Sequence, residues 1–140
     1  MELTRRKLLV IGSGAVALSS LTGLPAFASL TDDAIAELTG GAEVGEGAVT
    51  ITAPEIAENG NTVPIEVSAP GAVAITLYAD GNPVPNVATI RFGPLSASRS
   101  ASTRIRLATT QDVIAIAQME DGSFQKASAN VKVTIGGCGG

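Results

Sequence analysis

Short runs in which apolar and polar residues alternate dominate the sequence after residue 48, with turn residues about every ten positions. Alternation with a period of two places one face of a strand against a core and the other face in solvent. We therefore predict an all-β, immunoglobulin-like antiparallel β-sandwich of about seven strands, with a small barrel as the second choice. The predicted strands cover residues 48–53, 63–67, 73–79, 87–92, 98–108, 113–119 and 124–135.

A short helix is predicted before these strands, over Leu30–Leu38. Thr31 or Asp32 can cap its first turn, and Gly40 with Gly41 ends it. The helix is the only segment of the predicted domain with helical rather than alternating periodicity.

Two features of the strand region concern the backbone. Pro64 lies inside an apolar run and cannot donate a ladder hydrogen bond, which indicates an edge strand or a bulge. Asp80–Pro85 is predicted to be a rigid loop, because its prolines fix φ and Gly81 permits a left-handed residue.

The N-terminus is predicted to be an export address. Arg5 and Arg6 precede an apolar run, and Ala26-Phe27-Ala28 offers small residues at both positions that a signal peptidase reads. Glycines interrupt the run and Pro25 closes it, which disfavours a membrane span. We expect twin-arginine export to the periplasm, cleavage after Ala28 and no membrane anchor afterwards. The chain then divides into an export signal (1–28), a helix-plus-sandwich domain (29–135) and a terminal arm (136–140).

The composition excludes several kinds of chemistry. The 140 residues contain no histidine and one cysteine, so Ser-His-Asp triads, Cys-His dyads and the usual zinc sites are ruled out. The net charge of the chain is −4, and residues 29–140 alone carry six basic and twelve acidic side chains. Nucleic acid is not expected as a partner, since phosphate binding requires a basic face. The sequence offers no obvious cofactor ligands.

The single cysteine, Cys138, is surrounded by Gly136, Gly137, Gly139 and Gly140 directly after the last predicted strand. Glycine has no Cβ and the widest backbone freedom, so residues 136–140 are predicted to form a mobile arm. With no bulky neighbours, the sulfur can enter a narrow pocket on another protein. The chain has no histidine to activate the thiol. We therefore predict a carrier on which partner enzymes act, not an enzyme.

Other uses of Cys138 remain open at this point. An unpaired cysteine in an oxidising compartment can join two copies by a disulfide, as in an assembly or adhesion module. A buried cysteine is disfavoured because the glycines cannot enclose it. A terminal thiocarboxylate on Gly140 would suit a cytoplasmic carrier, which conflicts with the export signal.

An enzyme built on carboxylates is a further alternative. Glu55 with Glu58, or Asp32 with Asp33, could act as a pair, although such residues are usually solvated turn and cap residues. Asp80 begins a segment similar to the start of a calcium loop, but the remaining ligand positions are absent.

The Gly136–Gly140 terminus resembles that of the SoxY family, the sulfur-carrying subunits of bacterial thiosulfate oxidation. Supporting similarities lie at Gly40-Gly41, Asn59-Gly60, Asn82–Pro85 and Arg104–Ala108. The resemblance extends over roughly residues 30–140, and the terminal motif is its most specific part.

The resemblance implies a periplasmic immunoglobulin-like domain paired with a SoxZ-like subunit. A haem-containing SoxAX-like enzyme would join thiosulfate to the Cys138 sulfur, and a SoxB-like hydrolase would release sulfate. In some bacteria a SoxCD-like dehydrogenase oxidises the sulfur that remains. The carrier itself would bind no metal, no haem and no other cofactor.

Overall fold

The computed structural model describes residues 27–134, which form one helix and nine strands. The helix α1 spans Phe27–Thr39. The strands are β1 (Val44–Glu46), β2 (Thr50–Thr52), β3 (Ile56–Ala57), β4 (Val63–Ser68), β5 (Ala72–Ala79), β6 (Asn86–Arg91), β7 (Ser100–Ile105), β8 (Gln111–Met119) and β9 (Phe124–Val133).

The strands form two sheets with a shared apolar core. The larger sheet has the order β1-β9-β8-β5-β6, and the smaller has the order β2-β4-β7. All pairings are antiparallel except those of β1 and β3, which both run parallel to β9. The predicted all-β, immunoglobulin-like sandwich with one short helix is confirmed. The alternation does not predict β1 or β3, because segments of three and two residues are too short to show a period.

The core between the sheets is aliphatic. Its buried members are all Val, Ile, Leu or Ala, and they come from both sheets. Ile65 on β4, Leu77 on β5 and Val131 on β9 are each at most 2% exposed. Interdigitation of these branched side chains holds the two sheets together.

A second cluster lies on the outer face of the larger sheet, beneath α1. Tyr78, Ile114, Ile116 and Phe124 are buried there, and Ala34 and Ile35 of the helix pack against them. The helix therefore covers an aromatic patch that the sandwich interior does not use.

The helix differs from its prediction at the N-terminal end. It begins at Phe27 rather than Leu30, so Thr31 lies inside the helix, where it is 1% exposed. Neither Thr31 nor Asp32 is therefore at the cap position. The C-terminal end is as predicted: Gly40 and Gly41 both have positive φ, and the Gly41 N–H donates to the Ala36 carbonyl at 3.1 Å.

Pro64 lies in a central strand, not on an edge strand, because β4 runs between β2 and β7. The proline is tolerated because β2 pairs only with residues 66–68 of β4. Beside Pro64 itself, only β7 is paired, through Arg104. The missing N–H therefore does not interrupt the β2 ladder.

Gly81 does not have the left-handed backbone that the sequence suggests. Its requirement is space, since a Cβ at this position would lie 2.9 Å from the Gln111 Cβ. Close packing of the Asp80–Pro85 loop on the start of β8 explains the glycine.

The 13-residue helix α1 is shorter than a bilayer-spanning helix. Within residues 27–134, no helix has the length and apolar character needed to cross a membrane.

Candidate functional site

The predicted attachment residue Cys138 lies outside residues 27–134, as do Gly136, Gly137, Gly139 and Gly140. The structure describes the place where the chain leaves the sandwich, which we call the exit: residues 132–134 and the segments bonded to them. Thr134 is the last described residue, four positions before the thiol. Four residues span at most about 14 Å, so the exit is the centre of the region that Cys138 can reach.

Strand β3 holds the exit on one side. The Lys132 N–H donates to the Glu55 carbonyl at 2.9 Å. The Thr134 N–H donates to the Ala57 carbonyl at 3.1 Å. The Thr134 hydroxyl lies 3.5 Å from the Ala57 carbonyl and 3.4 Å from the Glu58 carbonyl. Parallel pairing thus continues to the end of the described chain.

The side chain of Thr110 holds the exit on the other side. Regular pairing of β8 with β9 ends at Gln111, which lies opposite Val131. The next β9 amide that points towards β8 is that of Val133, and it donates to the Thr110 hydroxyl at 2.9 Å. A side-chain oxygen therefore takes the place of a backbone carbonyl at this point.

A hydrogen-bond network around Gln111 fixes the segment that carries Thr110. The Gln111 side chain, 5% exposed, accepts from the Gly81 N–H at 2.8 Å. Its amide donates to the Asn82 Oδ1 and to the Thr109 carbonyl, both at 2.9 Å. Asn82 Oδ1 also accepts from the Ala108 N–H at 2.9 Å. Two loops and the start of β8 are thereby joined beside the exit.

Two shallow cavities adjoin each other near the exit. One, of about 450 Å³, includes Ala57 and Glu58, the residues bonded to Thr134, and the 57% exposed Ile56. The other, of about 520 Å³, lies on the outer face of the smaller sheet. Both are lined by Pro54 and Pro64, so they form one continuous surface beginning at the exit.

The charges at the exit are mixed and exposed. Glu55, Glu58 and Lys132 all face solvent. Within the described part of the chain, the ion pair that forms is between Arg99 and Glu120, at 3.6 Å. Exposed charges of both signs make the exit neither a basic nor an acidic patch.

Two groups, Tyr78 and Asp121, have a pKa shifted from its ordinary value, and neither makes a hydrogen bond at the exit. Burial raises the pKa of Tyr78 above its ordinary value of 10.0, and the nearby Glu37 carboxylate raises it further. The side-chain and backbone hydrogen bonds from Ser123 lower the pKa of Asp121. Asp121 lies in the turn between β8 and β9, at the other end of β9 from Thr134.

The carboxylate pairs considered as an alternative active site have an ordinary setting. Glu55, Glu58, Asp32 and Asp33 are all exposed, with no shielding from water.

The structure also describes the segment that resembles the start of a calcium loop. The Asp80 Oδ1 accepts from the Asp112 N–H at 2.9 Å. The side chain of Asn82 is bonded to Ala108, Gln111 and Arg106. Residues 27–134 contain no cluster of three or more potential metal-ligating His, Cys, Asp or Glu side chains.

Comparison with known families identifies the family of the chain. The family model described as sulfur oxidation protein SoxY matches residues 35–138. The chain belongs to the SoxY family. It is 40% identical to the sulfur carrier protein SoxY from Chlorobium limicola f thiosulfatophilum, with a TM-score of 0.67. That match covers 77% of this chain and 99% of the Chlorobium chain. No curated protein matches the sequence.

More distant solved structures resemble this chain only in fold. A superoxide reductase (neelaredoxin) from Ignicoccus hospitalis is 20% identical with a TM-score of 0.55, covering 62% of this chain and 80% of its own. A putative superoxide reductase from Thermotoga maritima is 19% identical with a TM-score of 0.54, covering 66% and 89% respectively. These matches show the fold alone.

Proposed function

We propose that this SoxY is a periplasmic covalent carrier of sulfur in thiosulfate oxidation, with Cys138 as the attachment residue. The observation that carries the proposal is the family match, which extends to residue 138 and ends on the only cysteine of the chain. Gly136, Gly137, Gly139 and Gly140 supply the backbone freedom that a carrier arm needs.

The first step is an oxidative conjugation. The Cys138 thiol loses its proton and bonds to the outer sulfur of thiosulfate, forming a cysteine S-thiosulfonate. The two electrons released pass to a haem enzyme of the SoxAX class. The chain contains no histidine, so the partner is expected to supply the base that takes the thiol proton.

The second step is a hydrolysis. Water attacks the terminal sulfone group, the S–S bond to it breaks, and sulfate and a proton leave. Cys138 then carries a persulfide. A hydrolase of the SoxB class suits this step, and a SoxCD-class dehydrogenase suits oxidation of the remaining sulfur. The carrier is acted on at each step and is not itself an enzyme.

The described geometry supports this division of work. The exit is held on both sides, by β3 and by Thr110, while the residues that follow are glycine-rich. A firm base with a short arm lets one thiol visit several active sites without disturbing the domain. A SoxZ-like subunit is proposed as the permanent partner in a heterodimer.

The test is thiosulfate-dependent turnover in a system reconstituted with the partner enzymes. Cys138→Ser should abolish turnover and leave the circular dichroism spectrum unchanged. The matched control combines Cys138→Ser with Ser96→Cys, which moves the thiol to an exposed loop between β6 and β7. That variant should also be inactive, because the thiol is no longer on the arm.

The adduct is tested by intact-mass measurement of protein from its native source. Sulfur-containing adducts on the Cys138 peptide, removable by a reductant, are expected. Finding solely a disulfide-linked dimer would favour the assembly or adhesion module instead, and a mass change on Gly140 would favour a thiocarboxylate carrier.

Location is tested by cell fractionation. Twin-arginine export predicts that the chain reaches the periplasm cleaved after Ala28, and that Arg5→Lys with Arg6→Lys retains it in the cytoplasm. Normal export of the double variant would contradict the proposed route.

A further inference from the structure

We propose that Thr110 is a positioning residue that fixes the pivot of the C-terminal arm at Thr134. The pivot is the last described residue that neighbouring segments hold through hydrogen bonds. The importance of the pivot for sulfur delivery rests on the proposed carrier function, but its physical basis does not. That basis is the position along the chain at which hydrogen bonding to β3 and Thr110 ends.

The pairing of β3 with β9 covers few residues. β3 has two residues, and its register with β9 covers Ile56 opposite Lys132 and Ala57 opposite Val133. Short, isolated strand pairs are marginal in water. On the β8 side, the Thr110 hydroxyl is the described group that bonds β9 beyond Val131. Thr110 therefore determines whether β9 is held on one side or on both sides at the exit.

The position of the Thr110 hydroxyl follows from its neighbours. Gln111 is buried, and its side-chain amide donates to the Thr109 carbonyl at 2.9 Å. This hydrogen bond fixes the backbone just before β8. The adjacent Thr109 hydroxyl makes no hydrogen bond within residues 27–134. Thr109 and Thr110 are adjacent, exposed threonines whose hydroxyls differ in whether they bond to β9, and Thr109→Val is thus a matched control for Thr110→Val.

Removal of the Thr110 hydroxyl has a geometric consequence. When residues 132–134 detach, the pivot moves back to Val131 and the arm to Cys138 grows from four residues to seven. Its greatest reach grows from about 14 Å to about 25 Å. Loss of one net hydrogen bond shifts such an opening equilibrium about fivefold.

A second cysteine placed along β9 serves as a ruler for this opening. Lys126 lies eight residues before Thr134, about 27 Å away along an extended strand. Cys138 held at Thr134 cannot reach it, whereas Cys138 on a seven-residue arm can. The experiment measures formation of the intramolecular disulfide in Lys126→Cys, with oxidised glutathione accepting the two electrons and the two thiol protons.

The expected result is a rate about fivefold higher in Thr110→Val than in the parent ruler protein. Valine has nearly the shape of threonine, so the change removes the hydroxyl and little else. Thr110→Ser retains the hydroxyl and should restore the parent rate. Thr109→Val should leave the rate unchanged.

A near ruler controls for thiol reactivity. Glu58→Cys lies beside the pivot, so its disulfide with Cys138 needs no opening and its rate should change by less than about twofold in Thr110→Val. Equal rates of disulfide formation by the Lys126→Cys protein in the Thr110→Val and Thr109→Val backgrounds would overturn the proposal. So would an acceleration by Thr110→Val that is similar for Lys126→Cys and Glu58→Cys.

The ruler assay uses neither thiosulfate nor partner enzymes, so its failure is distinct from failure of the carrier function. In reconstituted turnover, a longer arm dilutes the thiol near the docked enzyme. The KM for Thr110→Val carrier should rise about twofold while kcat stays unchanged. A fall in kcat with KM unchanged would contradict a role in positioning.

Discussion

Tyr78 is a buried ionisable group at the contact between α1 and the larger sheet. It is 1% exposed and packs with Ile114, Ile116 and Phe124. Burial there penalises the tyrosinate, and the Glu37 carboxylate adds repulsion, so both effects raise the pKa of Tyr78. As the only tyrosine in the chain, it can be followed spectroscopically without interference.

The raised pKa of Tyr78 predicts a loss of stability at alkaline pH. The folded state binds this proton more tightly than the unfolded state, so the contribution is complete below pH 10 and is lost as pH rises above it. The fall is at most about 1.4 kcal/mol per pH unit. Tyr78→Phe should remove this part of the alkaline decline in the free energy of unfolding. A tyrosinate absorbance titration with a midpoint at or below the ordinary value of 10.0 would contradict it.

At the scale of elements, the Asp80–Pro85 loop packs directly on the start of β8. Gly81 donates to the Gln111 side chain and has no room for a Cβ. The Gln111 side chain in turn fixes the segment that bears Thr110. The buried Gln111 side chain therefore connects this loop to the segment that bonds β9 at the exit.

Gly81→Ala should destabilise the domain by about 1–3 kcal/mol, because the methyl group would overlap Gln111. Gly93→Ala is the matched control, since a Cβ there meets nothing within 4 Å and its φ is not positive. That change should be neutral or slightly stabilising. Urea unfolding of both variants measures the difference, and equal costs would contradict the packing explanation.

The elements differ in how well the sequence predicts them. Alternation predicts strands in which one face is buried over several residues, as on β4 and β7. It does not predict β3, whose two residues are ordered by β9 and not by their own pattern. Thr110 is likewise not distinguished from Thr109 in the sequence, because only the register of β8 against β9 brings its hydroxyl to Val133.

At the scale of the molecule, the fold class and the family follow from the sequence. The fold class depends on repeated alternation of apolar and polar residues, and the family resemblance depends on the terminal glycine-cysteine motif. The role of Gly81 does not, because it depends on contacts between residues far apart in sequence. Two faces whose buried side chains are all aliphatic hold the sandwich together. Such a core depends on close packing of each branched side chain.

Leu77→Ala should reveal this dependence. Leu77 is 0% exposed in the shared core, so the cavity should cost about 2–5 kcal/mol of the free energy of unfolding. Leu95→Ala makes the same chemical change at a side chain that is 97% exposed, and it should stay within about 0.5 kcal/mol of the parent. Chemical denaturation distinguishes them. Similar costs at both positions would mean that Leu77 is not part of a packed interior.

The parallel pairing of β3 with the end of β9 also has a mechanical consequence. Tension applied to the C-terminus along β9 acts across the hydrogen bonds of Lys132 and Thr134, which then share the force instead of rupturing in sequence. Two main-chain hydrogen bonds loaded together resist detachment of residues 132–134 better than either bond would alone.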